Sequence, residues 1–125
     1  MQTHQALDGR VDVFKLGDSL MGGPESDEVV ARAKDLAANG RLILLVDMGD
    51  VRYINSLGLT AITRLVITAS KVNGAVKVCR LSDRVRHLFD IVRFNQLFQY
   101  YESESAALEA IARELPGAAL AGAGR

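Results

Sequence analysis

Leu42–Val46 reads Leu-Ile-Leu-Leu-Val, an aliphatic run with no polar alternation. A half-buried strand alternates polar with apolar residues. A short run that does not is the pattern of a central strand covered on both faces. This stretch commits the chain to a layered arrangement around a sheet.

The flanking segments fit that layout. Val11–Leu16 (VDVFKL), Ala75–Leu81 (AVKVCRL) and Leu97–Tyr101 (LFQYY) read as further strands. Asp8-Gly9, between extended-looking segments, is a hairpin signal. Gly17–Pro24 is a glycine-rich loop, and Pro24 or Ser26 opens a helix with Glu25, Asp27 and Glu28 near its positive end. Val29, Ala33, Leu36 and Ala37 form that helix's apolar stripe, and Asn39-Gly40 stops it. A second helix is predicted from Ser56 to Asn73. Leu59, Ile62, Val66 and Ala69 share one face, Leu65 and Val72 lie beside it, and Thr60, Arg64 and Lys71 fall on the wetter face. Gly74 ends it. Ser82 is the expected N-cap of a short helix built on Val85, Leu88, Phe89 and Val92. Glu102–Leu115 is the last helix, with Ala107, Leu108, Ile111 and Leu115 inward.

Strand and helix alternate through most of the chain, which argues for a mostly parallel sheet with packed helices. The first hairpin adds an antiparallel edge. In such sheets function gathers where strands hand over to helices at their carboxyl ends, and segment 47–58 is a handover of that kind.

A chain of 125 residues with 49% apolar content suits one domain, expected over residues 1–115. Residues 116–125, Gly/Ala-rich, are expected to be a disordered tail. Lys plus Arg and Asp plus Glu are 15 each. This balance argues against non-specific nucleic-acid binding, which needs surplus cations. The lone Cys79 sits in a Val-rich run and reads as a small buried hydrophobe. The first ten residues have neither the basic nor the apolar part of a signal peptide, and no apolar run approaches the roughly 20 residues of a membrane span. A cytoplasmic protein without a membrane span is expected.

Catalytic constellations are poor. His87 has no partner at metal-ligand spacing, His4 stands near the start, and there is no Walker loop, GxGxxG or GxSxG. Gly17, Gly22 and Gly23 do not match a phosphate cradle. Asp47 and Asp50 read better as turn-stabilising side chains than as an acid–base pair. No catalytic residue, metal ligand or cofactor is assigned, and the chain is not expected to be an enzyme. An enzyme or nucleotide-binding domain on the same layout has only the handover loop in its favour.

Ser56 is the candidate that stands out. Asn55 or Ser56 caps the helix that follows. A hydroxyl there lies where backbone N–H groups and the helix dipole favour negative charge, so a phosphate would be tolerated locally. Ser56, Thr60 and Arg64 also share one helix face at i, i+4, i+8.

The stretch VDMGDVRYINSLGLTAI resembles the signature of STAS domains, the family of anti-sigma factor antagonists. Asp47, Val51, Ile54, Ser56, Gly58 and Leu59 carry the match. The similarity extends over roughly Val11 to Ala112 and includes VKVCRLSDRVRHLFDIVRFNQLFQYYESESAALEAI. The resemblance implies a STAS-like α/β fold: a four- to five-stranded mixed, mostly parallel sheet with about four helices. It implies that Ser56 accepts phosphate from a GHKL-type serine kinase that is also an anti-sigma factor. The unphosphorylated form binds that kinase, and a serine phosphatase restores it. Asn55, Leu57, Gly58, Thr60 and Arg64 would then border the partner, with Asp18 and Ser19 as further contacts. Two departures stand out: Asn55 replaces the usual Asp before the serine, and Leu16–Met21 replaces a Leu-x-Gly-x-Leu-Asp loop. The alternative within the same family is a non-switching scaffold or accessory subunit of a signalling assembly or transport complex, with Ser56 at a helix start only.

Overall fold

The computed structural model describes residues 1–40 and 42–115. The Gly/Ala-rich segment 116–125 lies outside the described residues. β1 (Gln2–Ala6) and β2 (Val11–Lys15) form the antiparallel hairpin. Its turn carries Asp8 and Gly9 at φ +58 and +80, and the Arg10 amide donates to the Leu7 carbonyl at 3.2 Å. Positive φ at both central residues is what a primed hairpin turn demands, and Asp-Gly supplies it at low cost.

β4 (Ile43–Asp47) lies between β2 and β6 (Ala75–Cys79), parallel to both, and β7 (Tyr100–Tyr101) closes the far edge. The sheet order is β1-β2-β4-β6-β7. This is a mixed, mostly parallel sheet of five strands, within the four to five that the resemblance implies. The aliphatic run is its centre. Leu44 and Val46 pack with Phe14 and Val78 beneath α1 (Pro24–Ala37), α2 (Ser56–Ser70) and α3 (Asp83–Ile91). Leu45 points to the other face, with Val11, Val13 and Cys79, beneath α4 (Glu104–Glu114). Alternate residues of the central strand thus feed two cores, and each fully buried aliphatic side chain contributes about 1.5–3 kcal/mol.

Three expectations need correction. The buried face of α2 is rotated: Gly58, Ala61, Ile62, Leu65, Thr68 and Ala69 are buried, whereas Leu59 and Val66 are half-buried. The small Gly58 and Ala61 let the helix approach its neighbours closely and draw its packed face toward them. The last strand is only Tyr100–Tyr101. Phe94 and Phe98 fold back on Phe89, with ring centroids 5.1 Å (Phe89–Phe94) and 5.4 Å (Phe94–Phe98) apart, and this turns residues 94–98 out of the sheet and leaves Leu97 exposed. The Gly17–Pro24 loop contains a short strand, β3 (Ser19–Leu20), which pairs in parallel with β5 (Tyr53–Ile54) as a separate two-stranded sheet.

Candidate functional site

The β3–β5 pair places the site. Ser19 stands opposite Tyr53 and Leu20 opposite Ile54. The Arg52 and Tyr53 amides both donate to the Asp18 carbonyl, at 2.8 and 3.0 Å. The loop is also tied to α1: the Gly17 amide donates to Glu25 Oε1 and the Gly22 amide to Ser26 Oγ, both at 2.8 Å. A glycine-rich loop is thereby held along the segment that leads into α2.

Asn55 is the N-cap of α2. Its backbone is extended (φ −129, ψ −174), and its Oδ1 accepts from the Gly58 amide at 3.0 Å. Its Nδ2 donates to the Met21 carbonyl at 3.2 Å. One partner is a donor and the other an acceptor, so the two contacts fix the amide's orientation. The sequence left Asn55 and Ser56 both open as caps; the cap is Asn55.

Ser56 is therefore the first residue inside the helix. It is exposed, and its hydroxyl makes no hydrogen bond among the described residues, while its carbonyl accepts from Thr60 Oγ1 at 3.0 Å. The first turn of α2 contains no acidic residue, so nothing in the helix offsets its positive end. Large apolar side chains are exposed nearby: Leu57 (59%), Tyr53 (53%) and Met21 (48%). Thr60 and Arg64 are exposed further along α2, and both line a shallow cleft of about 190 Å³ with Gly22 and Leu57. Gly58 is buried, and a Cβ there would run into the Leu20 carbonyl. That contact is the close backbone approach for which glycine suits this position.

The expected partner residues sort by distance along the loop. Asn55, Leu57, Gly58, Thr60 and Arg64 gather with Ser56. Exposed Asp18 and half-buried Ser19 stand further up the β3–β5 pair, beside Arg52 and Tyr53. Met21 and Gly22 come next to the start of α2, and the sequence reading missed both, as it missed Tyr53. The only available signal was the glycine pair after Met21.

At the carboxyl ends of β4 and β6, Asp47 is fully buried. It accepts from the Gly49 amide at 2.9 Å, the turn role expected of it, and from Arg80 Nη1 at 3.3 and 3.1 Å. Burial pushes the Asp47 carboxyl up. The hydrogen bond shared with Glu104, the Gly49 amide and the Arg80 guanidinium more than reverse this and hold it below its ordinary value. Glu104 moves the other way, raised by its hydrogen bond to Asp47 and by burial, with His4 at 3.7 Å opposing. Burial, then the Asp47 and Glu104 charges, push the Cys79 thiol up to about 12. This thiol is packed and inert, as expected. Among the described residues no group of three or more His, Cys, Asp or Glu is placed to hold a metal ion, and no helix is long and apolar enough to cross a membrane.

A family profile described as the STAS domain matches residues 18–107. BtrV of Bordetella bronchiseptica, named as a candidate anti-sigma factor antagonist, is 26% identical over 114 residues, which cover 91% of this chain and 97% of BtrV. An anti-sigma factor antagonist (STAS) domain protein from Planctomyces limnophilus superposes with a TM-score of 0.75 at 16% identity, over 89% of this chain and 97% of that one. SpoIIAA, called a Bacillus cell fate determinant, is similar in its phosphorylated form, with a TM-score of 0.71 at 14% identity over 88% and 97% of the two chains. Its unphosphorylated form gives 0.70 at 14% identity over 88% and 96%. These structural likenesses concern the fold.

Proposed function

The chain belongs to the STAS domain family, and on that premise we propose that it is an anti-sigma factor antagonist switched by phosphorylation of Ser56. The observation that carries this reading is the exposed, unbonded Ser56 hydroxyl at the start of α2, set among exposed Leu57, Tyr53 and Met21. Unphosphorylated, that face docks on a GHKL-type serine kinase that is also an anti-sigma factor, and so frees a sigma factor for transcription. The kinase moves the γ-phosphoryl of ATP onto Ser56, the hydroxyl proton leaves, and ADP departs. A dianion in the middle of a small, partly apolar interface adds repulsion and desolvation cost. A few kcal/mol of such cost lowers affinity by two or three decades. A serine phosphatase resets the switch by hydrolysis. The protein is a substrate of enzymes in this scheme and acts in the cytoplasm.

Two features support Ser56 as the acceptor. The cap is made by Asn55, so the Ser56 hydroxyl is not needed to hold α2 together. The first turn of α2 has no carboxylate of its own, so a phosphate meets favourable backbone dipoles without a like charge in that turn. Similarity to BtrV, and to SpoIIAA known with and without phosphate, points the same way.

The test uses the cognate kinase with ATP and locates the phosphate by mass spectrometry. Phosphate on the wild type and none on Ser56→Ala is expected. Kinase binding retained by Ser56→Ala and lost by Ser56→Asp completes the expectation. Equal affinity of the two variants would instead indicate a non-switching scaffold.

A further inference from the structure

A cleft of about 310 Å³ lies between β5 and α3 and shares no lining residue with the cleft beside Thr60 and Arg64. Half-buried Ile54 and Leu88 and buried Val85 make its floor, and Ile91 stands at its rim. Arg52 on the β5 side and Arg84 on α3 are both exposed, and among the described residues neither has a carboxylate within ion-pair distance. His87 adds ring N–H capacity on the α3 wall. Arg86, by contrast, is already engaged: its guanidinium lies over the Tyr100 ring, 5.6 Å from the centroid. Asp90 of the same helix accepts from the Tyr100 hydroxyl at 3.3 Å.

Two unpaired guanidinium groups flanking an aliphatic floor fit a ligand that brings carboxylates and aliphatic groups together. Arginine is suited to the first, because its fork matches a carboxylate in two hydrogen bonds. The apolar surface does not stop at the mouth of the cleft. Ile91 at the rim is 62% exposed, and its chain neighbour Val92 is 40% exposed. A small carboxylate on the arginines would leave this rim in water, whereas a protein segment would cover cleft and rim together.

We propose that this cleft docks an acidic, aliphatic segment of a partner protein, with an aliphatic side chain on the Ile54–Val85–Leu88 floor and carboxylates on Arg52 and Arg84. The interface needs no phosphate on Ser56, and it stands or falls separately from the switch.

The test is an NMR titration of the isotope-labelled full chain with a blocked synthetic peptide of Glu-Leu-Leu-Glu repeats. The same peptide with Lys in place of Glu is the control. The acidic peptide is expected to shift the amides of Arg52, Ile54, Arg84, Leu88 and Ile91 saturably, and the lysine peptide not to. Arg52→Glu/Arg84→Glu is expected to weaken the acidic peptide about tenfold or more, and Arg52→Gln/Arg84→Gln by less. Both side chains replaced are exposed arginines with no ion pair among the described residues, so melting temperatures should stay near that of the wild type. Equal response to both peptides, shifts only outside the cleft, or unchanged affinity in the charge-reversed variant would overturn the proposal. Saturation of the same amides by octanoate alone, as tightly as by the peptide, would reassign the cleft to a small carboxylate and overturn it too.

Discussion

The Asn55 side chain donates to the Met21 carbonyl at 3.2 Å while accepting from the Gly58 amide at 3.0 Å. One amide thus fastens the glycine-rich loop to the first turn of α2. A carboxylate has the capping oxygen but no hydrogen to give Met21.

Asn55→Asp is therefore expected to keep the helix cap and release the loop. It would set a carboxylate oxygen against the Met21 carbonyl and cost about 1 kcal/mol for the lost bond. Hydrogen exchange over residues 19–23 should accelerate while exchange within α2 stays slow. The deficit should shrink below about pH 4, where the protonated carboxyl can donate again. Unchanged exchange in the loop would show that the Met21 contact holds nothing.

Gly58→Ala tests the close approach behind Ser56. Alanine is the better helix former by about 1 kcal/mol, yet its methyl would meet the Leu20 carbonyl. Strain should win, with a net loss of about 1–3 kcal/mol in urea unfolding. A neutral or stabilising result would mean that β3 can retreat freely.

Ser56→Asp places a negative charge at the start of α2, whose first turn has no acid. The dipole favours it there by about 0.3–1 kcal/mol. Thermal unfolding should shift slightly upward at low ionic strength and lose the gain in high salt. Lost partner binding in a more stable variant cannot then be blamed on unfolding.

The Asp47–Glu104 pair gives a pH signature of two opposite parts. Asp47 is depressed, so its contribution is present above its unfolded value, near 3.9, and disappears as pH falls through the folded value. Glu104 is raised, so its contribution is present below its unfolded value, near 4.3, and is lost as pH rises through the folded value. Glu104→Gln can donate to Asp47 at every pH. It should melt higher than the wild type at neutral pH, and the difference should vanish toward pH 4. Repeating the comparison in His4→Gln removes the imidazole that faces the same carboxylate at 3.7 Å. A pH-independent difference would mean that the two carboxyls do not share a proton.

Local patterns carried much of this fold. The aliphatic run at Leu42–Val46 predicted a strand covered on both faces, and Asp8-Gly9 and Ser82 marked a turn and a cap through their own chemistry. What the sequence hid depends on distant partners. β3 and β5 are two residues each and gain their identity only by pairing across the molecule. Arg80 reaches Asp47 over a separation of 33 residues, and Met21 reaches Asn55 over 34. The helix stripe of α2 was displaced because glycine and alanine count for little in an apolar pattern, yet they decide how near a helix can come. Ser56 stood out in the sequence as a candidate, but the identity of the cap did not, since Asn55 and Ser56 are equally good caps on paper.

One face of the sheet has α4 as its cover among the described elements, and the only thiol in the chain lies under it, fully buried beside Ala107 and Ile111. When α4 lifts, Cys79 meets water and loses the surroundings that keep it protonated. Its labelling rate therefore reports every opening that uncovers this face, release of α4 among them. The molecule carries its own reporter for the opening of one layer, needing no introduced probe and leaving the surface around Ser56 untouched.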